Sequence, residues 1–247
     1  MSHEAQTNVT NSPAVEDSIL NMPFMPKYQN PNITDEHLSA AIATMRSYFP
    51  DDPKLAEMSD EALKQQVEPF IKNHHVFRPT LVPLSTDSFQ ILAAVDEGDS
   101  CAYTIAVVVV DCIFMVLGFV GLHATNSQRI ARAAAHEAGI VIARNLPKWR
   151  ILITALKDAS TLTEKATAIY HISRAAYSAG MFRGILASIK SSMKWWDWAI
   201  TGLAAVAQIG ALILTDGAAF IAEVALNGTA VAYVVSDAVK AGEACSN

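Results

Sequence analysis

The sequence predicts an all-α fold: a helical bundle with buried hydrophobic helices and a C-terminal Ala/Gly-rich helical hairpin. Three observations carry this. Apolar residues recur at helical spacing in one segment after another. Two apolar blocks, 102–122 and 198–236, are far longer than a strand. No stretch shows a sustained apolar/polar alternation, and no internal repeat is visible.

Composition sets the problem that such a fold must solve. Hydrophobic residues make up 51% of the 247, and charged residues only 17%, against about 25% in an ordinary water-soluble chain. Mean hydropathy is +0.24. Charge is segregated: residues 1–100 hold 15 acids and 6 Lys/Arg, net −9, and residues 123–196 hold 11 Lys/Arg and 3 acids, net +8. Such asymmetry implies either an acidic part facing a basic part or a basic face for an anionic partner.

The chain divides into three parts on these grounds. Residues 1–32 are polar, with Pro13, Pro23, Pro26 and Pro31, and read as a flexible N-terminal arm. Their first 30 residues lack a basic start followed by an apolar core, so no ordinary secretory signal is expected. Residues 33–100 read as an acidic helical module. Thr34 is a candidate N-cap for a helix over 35–48, with Asp35 and Glu36 in its first turn. Ser59 caps a second helix, in which Pro69 predicts a kink. Pro79 and Pro83 keep 76–84 extended, and 85–95 predicts a third helix.

Residues 101–247 read as a hydrophobic helical bundle. The block 102–122, AYTIAVVVVDCIFMVLGFVGL, carries the single charge Asp111. Its twelve strong hydrophobes offer about −4 to −7 kcal/mol on insertion, against about +2.5 to +3.5 for a central Asp. Ser127 starts a basic helix to about Leu146, and Pro147 sits in the first turn of the next. Thr161-Leu-Thr-Glu164 is a capping box, from which an apolar stripe keeps helical period as far as Trp196 and predicts one long helix. Gly180 and Gly184 on it have GxxxG spacing, with Arg183 between them. Thr215-Asp216-Gly217 predicts the turn of the hairpin; its first arm, 198–215, is marginal for insertion, and its second, 218–236, with Glu223 and Gly228, is unfavourable alone.

Candidate functional residues lie in the apolar blocks and the basic stretch between them. Lys190, Lys194, Trp195, Trp196 and Trp198 form a group of the kind found at a membrane interface, where amphipathic rings and basic heads sit at headgroup level. A packed helix junction uses Trp for the same amphipathic reason. Arg129, Arg132, Arg144, Lys148 and Arg150 are candidates for a basic face on anionic lipid, at about 1 kcal/mol each. Asp111, Asp216, Glu223 and Asp237 lie in apolar surroundings, where desolvation raises carboxyl pKa values. They are candidate pH-gating carboxylates, or else capping and hydrogen-bonded ones. Cys101 and Cys245 stand at the polar edges of apolar blocks and can pair; Cys112 reads as a buried small hydrophobe.

No HExxH, CxxC, GxSxG, phosphate loop or dinucleotide fingerprint occurs. The sequence therefore predicts no enzyme, no cofactor and no metal site. Basic residues are not interleaved with aromatics over most of 123–196, so nucleic acid is not the expected partner.

An Ala/Gly-rich apolar hairpin among basic amphipathic helices resembles the α-helical pore-forming toxins, including the colicin pore domains. The resemblance covers roughly 101–247 at the level of pattern and transfers no functional residue. It implies a form that is soluble when made and then inserts into a target-cell membrane as a homo-oligomer, after release by a non-classical route. Two other readings fit the same pattern. One is a constitutive multi-span integral membrane protein, and the other a helical scaffold that buries its apolar segments at protein interfaces.

Overall fold

The computed structural model describes residues 33–73, 101–119, 127–192, 195–214 and 217–246. Among these residues there are eleven helices and no strand: α1 Asp35–Tyr48, α2 Pro53–Glu57, α3 Asp60–Asn73, α4 Cys101–Phe119, α5 Ser127–Ala143, α6 Leu146–Asp158, α7 Leu162–Ser178, α8 Phe182–Ser192, α9 Trp195–Leu214, α10 Ala218–Leu226 and α11 Gly228–Ala244. The chain is an all-α bundle. The N-terminal arm 1–32, the expected helix over 85–95 and the extended 76–84 lie outside the described residues.

Helix starts reflect local chemistry. Thr34 Oγ1 accepts from the His37 N–H, and the His37 ring returns a bond to the Thr34 N–H, which opens α1. Ser59 Oγ accepts from the Ala62 N–H at 3.2 Å. The Thr161 and Glu164 capping box closes the start of α7 in both directions. Pro50-Asp-Asp-Pro53 is more than a break: Asp52 caps the short helix α2, with Pro53 at its first position. Arg46 then fastens α1 to the end of α2 and the start of α3, donating to the Met58 carbonyl at 2.7 Å and pairing with Asp60 at 2.8 Å.

Two apolar helices occupy the interior. Residues Ile105 to Ile113 of α4 are all buried, nine in succession. At 3.6 residues per turn this covers more than two turns, so protein encloses α4 on every face. Its walls are α5, α11, α7, α6 and α9. Ala134, Ala135 and Ala138 are buried on α5, and a Cβ on Gly139 would meet Ala106 at 3.9 Å. Small side chains on α5 thus let the two helices approach closely. The second apolar helix, α9, is covered by α1, α3, α7, α8 and α10. Ile42 and Met45 of α1 are fully buried against this core, each side chain contributing about 1.5–3 kcal/mol. A Cβ on Gly202 would come within 2.9 Å of Met45 Cε, which shows how closely α1 packs on α9.

The structure corrects two sequence-based expectations. The stripe from Leu162 to Trp196 is two main helices, α7 and α8, not one. Gly180 takes φ +74°. The Gly180 N–H reaches the Tyr177 carbonyl and the Met181 N–H the Ala176 carbonyl, both at 3.0 Å, closing α7 in a left-handed cap. The apolar period continues through this turn, which hides the break in the sequence. The second arm of the hairpin is also divided. Asn227 Nδ2 donates to the Glu223 carbonyl at 2.9 Å and ends α10, and α11 runs on to Ala244 rather than stopping near 236. The first apolar block is helical over 101–119, with 120–122 outside the described residues. Among the described residues no helix is long and apolar enough to cross a membrane. The 19 residues of α4 span about 28 Å, just under a hydrocarbon core of about 30 Å.

Candidate functional site

The hydrophobic helix α4 runs antiparallel to α11, and two contacts tie their seam. At one end Cys101, the first residue of α4, is disulfide-bonded to Cys245, the C-cap of α11, with Cα atoms 4.6 Å apart. The pairing left open by the sequence is therefore present. Both cysteines are half-buried. The guanidinium of Arg150, on α6, places Nε 3.3 Å from Cys101 Sγ. Cys112 remains a free thiol, fully buried in α4.

The second tie lies about 15 Å further along α4. Asp111 is buried and its carboxyl faces that of Asp237 on α11. Lys240 holds Asp237 from the solvent side at 2.7 Å. Burial pushes Asp111 well above the usual carboxyl range, and the facing charge of Asp237 pushes in the same direction. The arrangement therefore favours a protonated, neutral Asp111 beside the Asp237–Lys240 ion pair. Asp111 Oδ2 has no hydrogen-bond partner, so this polar side chain is held in the core by its neighbours at a desolvation cost.

A third cluster joins the acidic N-terminal helices to the basic segment. The Asp52 side chain accepts from the Leu55 N–H at 3.0 Å and from Trp195 Nε1 at 3.3 Å, and it pairs with Lys190. Lys190 Nζ lies 5.0 Å from the Phe49 ring centroid and 4.9 Å from that of Trp198. Phe49 and Trp198 meet edge to face at 5.2 Å, and Lys54 sits over Trp195. Burial alone would raise the Asp52 carboxyl, but the Lys190 and Leu55 bonds outweigh it and hold the group below its ordinary value.

The residues singled out in sequence are thus distributed among several places. Lys190, Trp195 and Trp198 close a helix junction in this folded form, with Trp198 fully buried. Lys194 lies outside the described residues, as does the side chain of Trp196. Arg144, Lys148 and Arg150 are exposed near the α5–α6 turn; the side chains of Arg129 and Arg132 lie outside the described residues. Arg144 and Lys148 make no ion pair with a described residue, whereas Arg150 is drawn to Cys101. Ile140 and Ile151 stand out among these cations, 50% and 70% exposed. Of the four candidate carboxylates, Asp111 and Asp237 come together. Glu223 is buried apart from them on α10, where burial raises its carboxyl. Asp216 lies outside the described residues.

Gly180 and Gly184 separate into the turn and α8, and do different work. Gly180 supplies the left-handed turn, while a Cβ on Gly184 would meet Glu137 Oε2 of α5 at 2.6 Å. The Asp52 cluster went unread in the sequence, although Asp-Pro is a helix-start signal and the charge segregation calls for such pairs. Among the described residues no three His, Cys, Asp or Glu converge on a metal-sized position. Comparison with protein-family models, with curated proteins and with solved structures finds no match to this chain.

Proposed function

We propose that this chain is a membrane-perforating effector in its sheathed, water-stable form, with α4 as the element that leaves the sheath. The observation that carries this reading is the enclosure of α4. A helix whose residues alone favour insertion is enclosed by neighbouring helices on every face over residues 105–113. Burying such a helix against α5 and α11, with a carboxyl pair and a disulfide across the seam, stores an insertable segment and keeps it from water.

The exposed Arg144, Lys148, Ile140 and Ile151 supply a first contact with an anionic bilayer. Cations draw the surface in, and the two isoleucines enter the headgroup boundary. For α4 to span, its helix must continue through Val120–Leu122 to about 33 Å. The marginal α9–α10–α11 hairpin then enters after it, and assembly of several copies lines an aqueous path. The partner is thus an anionic lipid membrane, with a homo-oligomer as the working state.

Release of an encapsulated dye from anionic vesicles tests the reading, with protein purified without detergent and applied at neutral and acidic pH, with and without a thiol reductant. Release together with co-sedimentation is expected. No release and no co-sedimentation under any of these conditions contradicts it. A constitutive multi-span protein would not purify as a monodisperse species without detergent. A scaffold would give a defined large oligomer that ignores vesicles.

A further inference from the structure

We propose that the Cys101–Cys245 disulfide is a thiol-exchange site, with Cys101 as its leaving group, and that its reduction by a dithiol releases α4 from α11. The inference rests on the membrane reading for its consequence, but not for its chemistry. The geometry is specific. Cys101 stands at the N-terminal end of α4, where the helix dipole favours negative charge. Arg150 Nε stands 3.3 Å from Cys101 Sγ, and a guanidinium beside a sulfur stabilises its thiolate. Cys245 has a different setting, at the C-terminal end of α11, where the helix dipole disfavours a thiolate. The two sulfurs are thus unequal leaving groups, and the one that leaves more readily is on the hydrophobic helix.

That asymmetry sets the direction of exchange. A thiolate of the reductant attacks Cys245 Sγ, forms a mixed disulfide there and breaks the Cys101–Cys245 bond. The electron pair leaves on Cys101 Sγ, beside Arg150. The second thiol of the reductant, once deprotonated, attacks the reductant's own sulfur in the mixed disulfide. This closes the reductant's disulfide and expels the Cys245 thiolate, which takes a proton from solvent. Two electrons pass to the protein, the dithiol is oxidised, and two cysteines are left reduced. Both are half-buried, within reach of a small thiol, while Cys112 is enclosed.

The consequence concerns α4. The disulfide closes a loop between residues 144 apart and pins the first turn of α4 to the end of the chain. Once it is cut, only non-covalent packing and the Asp111–Asp237 pair hold the α4–α11 seam.

The test uses the full chain purified under air and quenched with an alkylating agent. Dithiothreitol under native conditions should render Cys101 and Cys245 alkylatable and leave Cys112 unmodified. Arg150→Gln should slow this native-state reduction by about threefold or more, and Arg150→Lys should restore most of the rate. With Cys245→Ser, alkylation of Cys101 should reach its half-maximal rate at a lower pH when Arg150 is present than in the Arg150→Gln background. Three free thiols in the air-oxidised chain, or reduction and alkylation unchanged by Arg150→Gln, overturns the proposal. Dye release from anionic vesicles is then compared for oxidised and reduced protein. Release by the reduced chain alone is expected, and equal release by both overturns the gating role. Normal exchange chemistry with no release in either state leaves the exchange site standing and sinks the membrane reading.

Discussion

Asp111 of α4 faces Asp237 of α11 inside the bundle, and Lys240 closes on Asp237 from the surface at 2.7 Å. This pairing fixes the sign of its pH dependence. Asp111 has a folded pKa above its unfolded value of about 3.9. The native state therefore binds the proton more tightly, and this site loses stability as pH rises from about 4 towards the folded value. Asp111→Asn removes the loss. It should raise the melting temperature at pH 7, by about 2–4 °C per kcal/mol relieved in a chain of this size, and leave it nearly unchanged near pH 4. Thermal melts at the two pH values check this; a lower melting temperature for the variant at pH 7 contradicts it.

Asp52 behaves in the opposite sense. Its folded carboxyl lies below the ordinary value, chiefly because the Lys190 and Leu55 bonds overcome burial. Its contribution is present above about pH 4 and is lost as pH falls through the lowered value. Lys190→Ala should cost about 1–3 kcal/mol at pH 7, the pair being partly solvent-screened on the lysine side, and less below pH 3. Urea unfolding at both pH values reads the difference. Equal losses would place the effect in packing on Phe49 and Trp198, not in the ion pair.

Two glycines should respond in opposite directions. Gly217 has φ +74°, and a Cβ there would lie 2.5–2.8 Å from the Tyr170 ring. That ring is fixed by its hydroxyl, which donates to the Ile213 carbonyl at 3.1 Å. Gly217→Ala should destabilise by about 2–4 kcal/mol. Gly228 opens α11 with nothing within 4 Å of a new Cβ, so Gly228→Ala should stabilise by about 0.4–1 kcal/mol. Denaturant midpoints for both variants suffice.

Loss of the disulfide should be costly and independent of which cysteine is removed. Loop-closure entropy for a separation of 144 residues gives about 5 kcal/mol as an upper figure. Cys101→Ser and Cys245→Ser should therefore unfold at similar urea concentrations, well below oxidised wild type and close to reduced wild type.

Local signals were the most legible part of the sequence. Thr34, Ser59 and the Thr161–Glu164 box each mark a helix start because capping depends on neighbours within four residues. The enclosure of α4 was legible as a necessity, though not its walls. The break at Gly180 was hidden because the apolar period runs through it, and a glycine in a periodic stretch does not declare its φ. The candidate site was legible as residue types only. Asp111 and Asp237 were both marked, but a separation of 126 positions conceals that they face each other. Lys190, Trp195 and Trp198 suit a bilayer surface and a helix junction equally, and Asp52, which recruits Lys190 and Trp195, lies 138 residues before Lys190.

The most direct measurement labels α4 from within the bilayer. Anionic vesicles carrying an apolar photoactivatable lipid are mixed with the full chain, oxidised or reduced, irradiated and analysed by peptide mass spectrometry. The account predicts adducts within 101–119 after reduction and none there before it. Labelling confined to the exposed α5–α6 face, or absent in both states, would contradict the claim that α4 is the inserting element.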